Sequence, residues 1–69
     1  MSYYYRMDGL GKISRCGSKQ AAVEKASSRV RLSNLPAPYA EVFRGVVLEN
    51  AKVIRRIWKD AEGMQFMDY

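Results

Sequence analysis

The sequence lacks histidine, has a single cysteine, Cys16, and contains no long hydrophobic run. Without histidine there is no ordinary catalytic triad or histidine-based proton shuttle, and a Cys/His zinc site has too few ligands. A lone cysteine cannot form an intramolecular disulfide. The longest apolar run, Val46-Val47-Leu48, is far shorter than the ~20 residues that span a bilayer. We therefore expect a protein that is not an enzyme, holds no cofactor or metal, and has no transmembrane segment.

Small size and uneven charge are the next features. The chain has 69 residues, one domain at most, and a core of this size rarely supplies more than ~3–5 kcal/mol, so we expect partner subunits to stabilise it. Residues 1–38 carry seven basic and two acidic side chains, whereas residues 39–69 carry five of each. The basic half indicates either an acidic protein or nucleic-acid partner, or simply a solvated surface.

The segment 38–62 has the strongest periodic pattern. Its apolar residues recur at steps of three and four, which predicts a long amphipathic helix that begins at Pro38 and stops before Gly63. A helix of this length has too little partner surface within its own chain. Three residues of its apolar stripe are therefore predicted to contact a partner as well as the core: Phe43, Ile54 and Trp58.

A weaker stripe predicts a first helix over residues 12–28, with a shorter helix capped by Ser18 as the alternative. Residues 29–37 then form an extended linker, in which 29–32 is either an edge strand or the end of the helix. The tail, 63–69, is a second docking element or a frayed end. The predicted fold is all-α: a helix-turn-helix hairpin with a long C-terminal amphipathic helix.

The basic residues also raise the question of nucleic acid. A groove-binding helix-turn-helix fits poorly, since the long predicted helix has balanced charge and the linker contains two prolines instead of a compact glycine turn. The sequence therefore does not favour direct contact with nucleic acid. The alternative that stays open is contact with a nucleic-acid backbone through Arg29 and Arg31, in a ribonucleoprotein.

Residues 1–11 are interpreted as a docking element, because consecutive tyrosines at a terminus expose apolar surface unless a partner covers them. Aromatic rings supply buried area there, and the arginine supplies a charge-assisted hydrogen bond. The residues predicted to bind the partner in this region are Tyr3, Tyr4, Tyr5, Arg6, Gly9, Leu10 and Ile13.

The same residues resemble the start of a known family. Aromatics ending at Tyr5, then Arg6, then Gly9-Leu10 and Ile13 look like the opening of the epsilon subunit of mitochondrial ATP synthase, in which an aromatic followed by arginine precedes a Gly-Leu or Gly-Met pair. The resemblance covers about the first third of the chain. Tyr5 stands where the family usually has tryptophan, and the long segment after Pro38 has no counterpart in it.

This resemblance implies a non-catalytic structural subunit of the central stalk, the rotor of the ATP synthase complex. Such a subunit supports proton-driven ATP synthesis by packing against the gamma and delta subunits, on the matrix side of the mitochondrial inner membrane. The alternatives are a small basic structural protein of a ribonucleoprotein such as a ribosome, and an adaptor whose helix lies in a partner's groove.

Overall fold

Strands form nearly half of the described chain and contain more residues than its helices. The computed structural model describes residues 1–7 and 11–69. In chain order the elements are β1 (Ser2–Met7), β2 (Ser14–Cys16), α1 (Lys19–Leu32), β3 (Tyr39–Gly45), a 3-10 helix (Leu48–Asn50), β4 (Lys52–Asp60) and β5 (Gly63–Asp68). The expectation of an all-α hairpin is therefore wrong.

The five strands form one antiparallel sheet in the order β2-β1-β3-β4-β5. The helix connects the edge strand β2 to β3 and packs on one face of the sheet, mainly over β1 and β3. This arrangement covers one face with the chain's own helix. No helix or strand of the described residues covers the opposite face, which we call the open face.

The helix α1 begins after an N-cap at Ser18. The Ser18 hydroxyl accepts a hydrogen bond from the backbone N–H of Ala21 at 3.1 Å, which satisfies one of the donors left free in the first turn. The shorter, Ser18-capped helix is thus confirmed and the start at residue 12 is wrong. Residues 29–32 form the end of the helix, which confirms one of the two alternatives for them, and the linker does not begin at residue 29. Arg29 and Arg31 lie in this last turn, where positive charge favours the helix dipole.

The predicted long helix over 38–62 is wrong for a reason that is visible in its composition. Tyrosine, valine, phenylalanine, isoleucine and tryptophan dominate the apolar stripe, and these residues favour strands over helices. Gly45 interrupts the segment where β3 ends, and the hairpin between β4 and β5 turns at Ala61-Glu62. Gly63 has a positive φ of 104°, which glycine adopts readily. The predicted tail is the strand β5.

Small helix residues allow the helix to sit close to the sheet. Ala22, Ala26 and Val30 recur every four residues along one face of α1 and are fully buried. They pack against core side chains from four strands, which are Tyr5, Cys16, Ala40, Val42 and Ile57. This cluster is the hydrophobic core, and it lies entirely between the helix and the sheet.

Lysine closes the far end of the helix. The Lys59 ammonium of β4 donates hydrogen bonds to the carbonyl oxygens of Arg31 at 2.9 Å and Ser33 at 3.3 Å. Carbonyls at a helix C-terminus lack partners within the helix, so a lysine there satisfies them and favours the dipole. The connection that follows the helix is thereby fixed to β4.

Candidate functional site: the aromatic face

The open face of the sheet carries aromatic rings and arginines where a solvated face normally carries polar residues. Strand register places them together, because directly paired residues lie on the same face. Tyr4 of β1 pairs with Arg15 of β2 and Phe43 of β3, and Tyr39 pairs with Trp58 of β4. We call this surface the aromatic face; its members are Tyr4, Arg6, Arg15, Tyr39, Glu41, Phe43, Arg56 and Trp58.

Guanidinium groups lie over two of these rings. The Arg56 guanidinium carbon is 4.2 Å from the centroid of the Tyr39 ring, and that of Arg6 is 5.1 Å from the Phe43 ring. Both distances fall within the ~6 Å range of a cation–π contact. Each guanidinium therefore packs on an aromatic ring, and that of the exposed Arg56 is accessible to a ligand.

A single carboxylate separates these two arginines. Glu41 lies directly opposite Arg6 on one side and Arg56 on the other, and its Oε1 accepts a hydrogen bond from Arg6 at 2.9 Å. The contact orients the Arg6 guanidinium. Its Nε is buried and has no hydrogen-bond partner among the described residues. An unpaired buried donor costs roughly 1–3 kcal/mol. The ion pair with Glu41 and the contact with the Phe43 ring act against that cost.

The rings differ in how far they are covered. Tyr4 and Phe43 are buried although neither belongs to the core under the helix. Tyr39 and Trp58 are partly exposed, and they line an open groove of about 620 Å³ together with Arg56, Met67 and Tyr69. Arg15 and Arg56 are exposed on either side of the covered rings. The part of the face that a ligand can reach first is the groove around Trp58.

The helix-covered face has a different electrostatic feature at its margin, beyond the helix. Arg55 donates to both carboxylate oxygens of Asp68, with Nη2 to Oδ2 at 3.0 Å. This hydrogen bonding lowers the pKa of the Asp68 carboxyl and raises the pKa of Arg55. The Arg55 guanidinium also lies 4.3 Å from the centroid of the Phe66 ring. Arg55 is thus engaged within the hairpin of β4 and β5.

The structure brings together four of the residues predicted to bind a partner and separates the others. Tyr4, Arg6, Phe43 and Trp58 lie on the aromatic face. The side chains of Tyr3 and Tyr5 turn to the helix side, where Tyr5 is in the core. Ile54 packs partly against the core and Ile13 is partly buried before β2, whereas Gly9 and Leu10 lie outside the described residues.

Sequence reasoning missed Arg15, Tyr39 and Arg56 as site residues. The pattern that identifies Tyr39 and Arg56 is a spacing of two residues, as in a strand. Residues 39, 41 and 43 occupy one face of a strand, and residues 56 and 58 occupy the same face of the next. The search for steps of three and four placed the same residues on a helix instead.

Searches against protein-family models, curated protein sequences and solved structures found no match to this chain. Among residues 1–7 and 11–69, no helix is long and apolar enough to cross a membrane. The same residues contain no group of three or more histidine, cysteine or acidic side chains arranged to hold a metal ion. The geometry of the aromatic face is therefore the basis on which function is proposed.

Proposed function

We propose that this protein binds single-stranded nucleic acid across the aromatic face. The observation that carries the proposal is the unit formed by Tyr39, Arg56 and Trp58, in which two partly exposed rings lie beside an exposed guanidinium. Unpaired bases stack on aromatic rings, and arginine contributes both stacking and attraction to phosphate. An antiparallel sheet backed by a helix is a suitable rigid support for such stacking.

Charge supports the same ligand. The chain has a net charge of +5, and the exposed Arg15 and Arg56 lie on opposite sides of the sheet's central strands. A strand of nucleic acid that crosses the sheet from β2 to β4 meets a cation at each side. Its bases stack on the partly exposed rings of Tyr39 and Trp58, since Tyr4 and Phe43 are buried. This proposal takes up the ribonucleoprotein hypothesis but moves the contact from Arg29 and Arg31 to the sheet.

A role in the central stalk of ATP synthase stays a prediction. Its basis is the N-terminal resemblance and an all-helical subunit, and residues 1–7 and 11–69 form no such helical hairpin. Tyr5, which was to anchor the N-terminus in a partner, is a core residue. The aromatic face gives the nucleic-acid proposal a physical basis that the stalk role does not have.

Fluorescence titration tests the proposal directly, because Trp58 is the only tryptophan and lies on the proposed site. Single-stranded RNA and DNA oligonucleotides of mixed sequence should quench its emission, and a duplex of the same sequence should do so more weakly, since its bases are already stacked. Binding should weaken as salt rises. For each phosphate neutralised, log K should fall by about 0.7 per tenfold rise in salt concentration.

The two single-stranded probes distinguish RNA from DNA, and a labelled oligonucleotide followed by anisotropy gives a second readout that does not depend on tryptophan. An Arg56→Ala variant should bind more weakly by both methods. No saturable quenching at low salt, or equal affinity of wild type and Arg56→Ala, would refute the proposal.

A further inference from the structure

The outer edge of β5 has unpaired backbone groups. The N–H of Tyr69 donates to the carbonyl of Ile54 at 3.0 Å, so residue 69 points its backbone groups toward β4. Because hydrogen-bonding direction alternates along an antiparallel strand, residues 65 and 67 also point toward β4. The backbone N–H and C=O groups of Met64, Phe66 and Asp68 therefore point away from the sheet, where β5 is the last strand in the described residues.

This edge also lacks the features that usually prevent strand pairing. Edge strands are commonly guarded by lysine, proline, a bulge or very short length. The opposite edge, β2, has only three residues and bears Arg15. By contrast, β5 has six residues, no lysine and no proline, and its only charged side chain, Asp68, is bonded to Arg55.

Apolar side chains flank the edge on both faces of the sheet. Phe66 is 61% exposed and Met64 is 39% exposed on the helix side, where both line an open groove beside α1. On the open side Met67 is 53% exposed, and Tyr69 just after the strand is 67% exposed. Water-exposed apolar residues around a free strand edge mark a site for a further strand.

We propose that the partner at this edge is the β5 strand of a second copy of the chain, paired antiparallel about a two-fold axis at Phe66. The unpaired groups are symmetric about that residue, since Met64 and Asp68 lie two positions to either side. Phe66 then faces Phe66 of the copy, and Met64 faces its Asp68. All the outward groups of both strands find partners, giving about six backbone hydrogen bonds.

The side chains fit this register. The two Phe66 rings meet directly, and aromatic pairs across strands are favourable. Tyr69 lies opposite Gly63 of the copy, whose missing side chain leaves room for the ring. A one-residue shift would place inward-facing and outward-facing backbone groups opposite each other and lose the hydrogen bonds.

Pairing joins two five-stranded sheets into one and places the two aromatic faces side by side. Met67 and Tyr69 border the groove around Trp58, so the grooves of both copies lie near the two-fold axis. The inference stands independently of nucleic-acid binding, because it rests on the backbone groups and side chains of β5 alone.

Introducing a charge at the two-fold axis tests the register. Phe66→Lys and Phe66→Glu each place like charges opposite each other, and each should weaken self-association by at least about tenfold, measured by sedimentation equilibrium. Mixing the two variants places lysine opposite glutamate and should restore a heterodimer. Phe66 is exposed in one copy, so both variants should keep the wild-type circular dichroism spectrum.

Amide hydrogen exchange of the wild-type protein gives a second measurement without substitution. The amides of Met64, Phe66 and Asp68 should become protected as concentration rises, whereas those of Gln65 and Met67 should be protected throughout. The inference is overturned if the wild type stays monomeric at NMR concentrations, if the mixed variants associate no better than either alone, or if a dimer forms while the Phe66 amide remains unprotected. A β5 edge that pairs only with another protein's strand would appear as the first of these results.

Discussion

The two faces of the sheet carry different types of side chain. The helix-covered face is sealed by small aliphatic residues, with Ala22, Ala26 and Val30 fully buried against the strands. The open face carries four aromatic rings and three arginines, held by cation–π contacts and one ion pair with Glu41. Apolar packing stabilises the first face, whereas the second retains charged groups that a purely structural surface does not need.

Under the proposed function, this contrast assigns stability to one face of the sheet and ligand binding to the other. A residue on β4 contributes to one or the other according to its parity, since neighbours along a strand point to opposite faces. Ile57 lies in the core, whereas Arg56 and Trp58 on either side of it lie on the aromatic face. Substitutions at these consecutive positions should therefore have separable effects.

The largest effect is expected on the helix-covered face. Ile57 is 3% exposed, and Ile57→Ala should lower the free energy of unfolding by ~2–5 kcal/mol, through lost burial and a residual cavity. A domain of this size has only ~3–5 kcal/mol of stability, so the variant should be largely unfolded. Urea unfolding followed by circular dichroism, at one protein concentration, measures this. Arg56→Ala is the matched control and should unfold near the wild-type urea midpoint. If both variants lost the same free energy of unfolding, the two faces would not differ in their contribution to stability.

The next effect belongs to the aromatic face. Trp58→Ala should weaken binding of a single-stranded oligonucleotide by ~1–3 kcal/mol, about 5- to 150-fold, because one base loses its stacking surface. Anisotropy of a labelled oligonucleotide measures the change. Leu32→Ala removes an exposed apolar side chain from the helix, on the other side of the sheet, and serves as the control, with affinity expected near wild type. If both variants lost affinity equally, binding would not be specific to the aromatic face.

Parts of this arrangement were predictable from the sequence and parts were not. Ser18 followed by a stretch of good helix formers is a local signal, and the Ser18-capped helix was one of two alternatives predicted. The segment 38–62 was misassigned because its aromatic and β-branched residues fit steps of three and four as well as alternation. Local propensity and Gly45 favour strands there, and the structure follows them and not the helical period.

The candidate site was predictable only in its residue types. Tyr4, Arg6, Phe43 and Trp58 were singled out as partner-binding, but two were placed in an N-terminal docking element and two on a helix. Their convergence depends on the pairing of β1 with β3 and of β3 with β4, and the first of these joins residues about forty positions apart. Pairing of this kind is non-local, so no short-range pattern encodes it.

Removing one charge should affect nucleic-acid binding less than removing Trp58. The effect should again depend on which face of the sheet carries the charge. Arg15→Ala and Arg56→Ala should each reduce the slope of log K against log salt by about 0.7, the value for one phosphate contact on a single strand. Lys25 is exposed on the helix, on the far side of the sheet, so Lys25→Ala should leave the slope unchanged. Binding isotherms at a series of salt concentrations measure all three slopes. An equal change for Lys25→Ala would indicate that phosphates bind the whole basic surface.

The smallest effect is expected where the helix-covered face runs beyond the helix. There the Arg55 hydrogen bonds lower the pKa of Asp68, so the pair contributes stability above the unfolded pKa of about 3.8 and loses it as pH falls through the lower folded value. The Asp68 side chain is 52% exposed, and exposed pairs contribute little. Asp68→Asn should therefore shift the urea midpoint only slightly at pH 7, and the difference from wild type should shrink as pH falls below about 3.8 and vanish only below the folded pKa. A large shift at pH 7 that persists in acid would mean that Asp68 stabilises the fold through packing. Packing on the helix-covered face would then extend past the helix to β5.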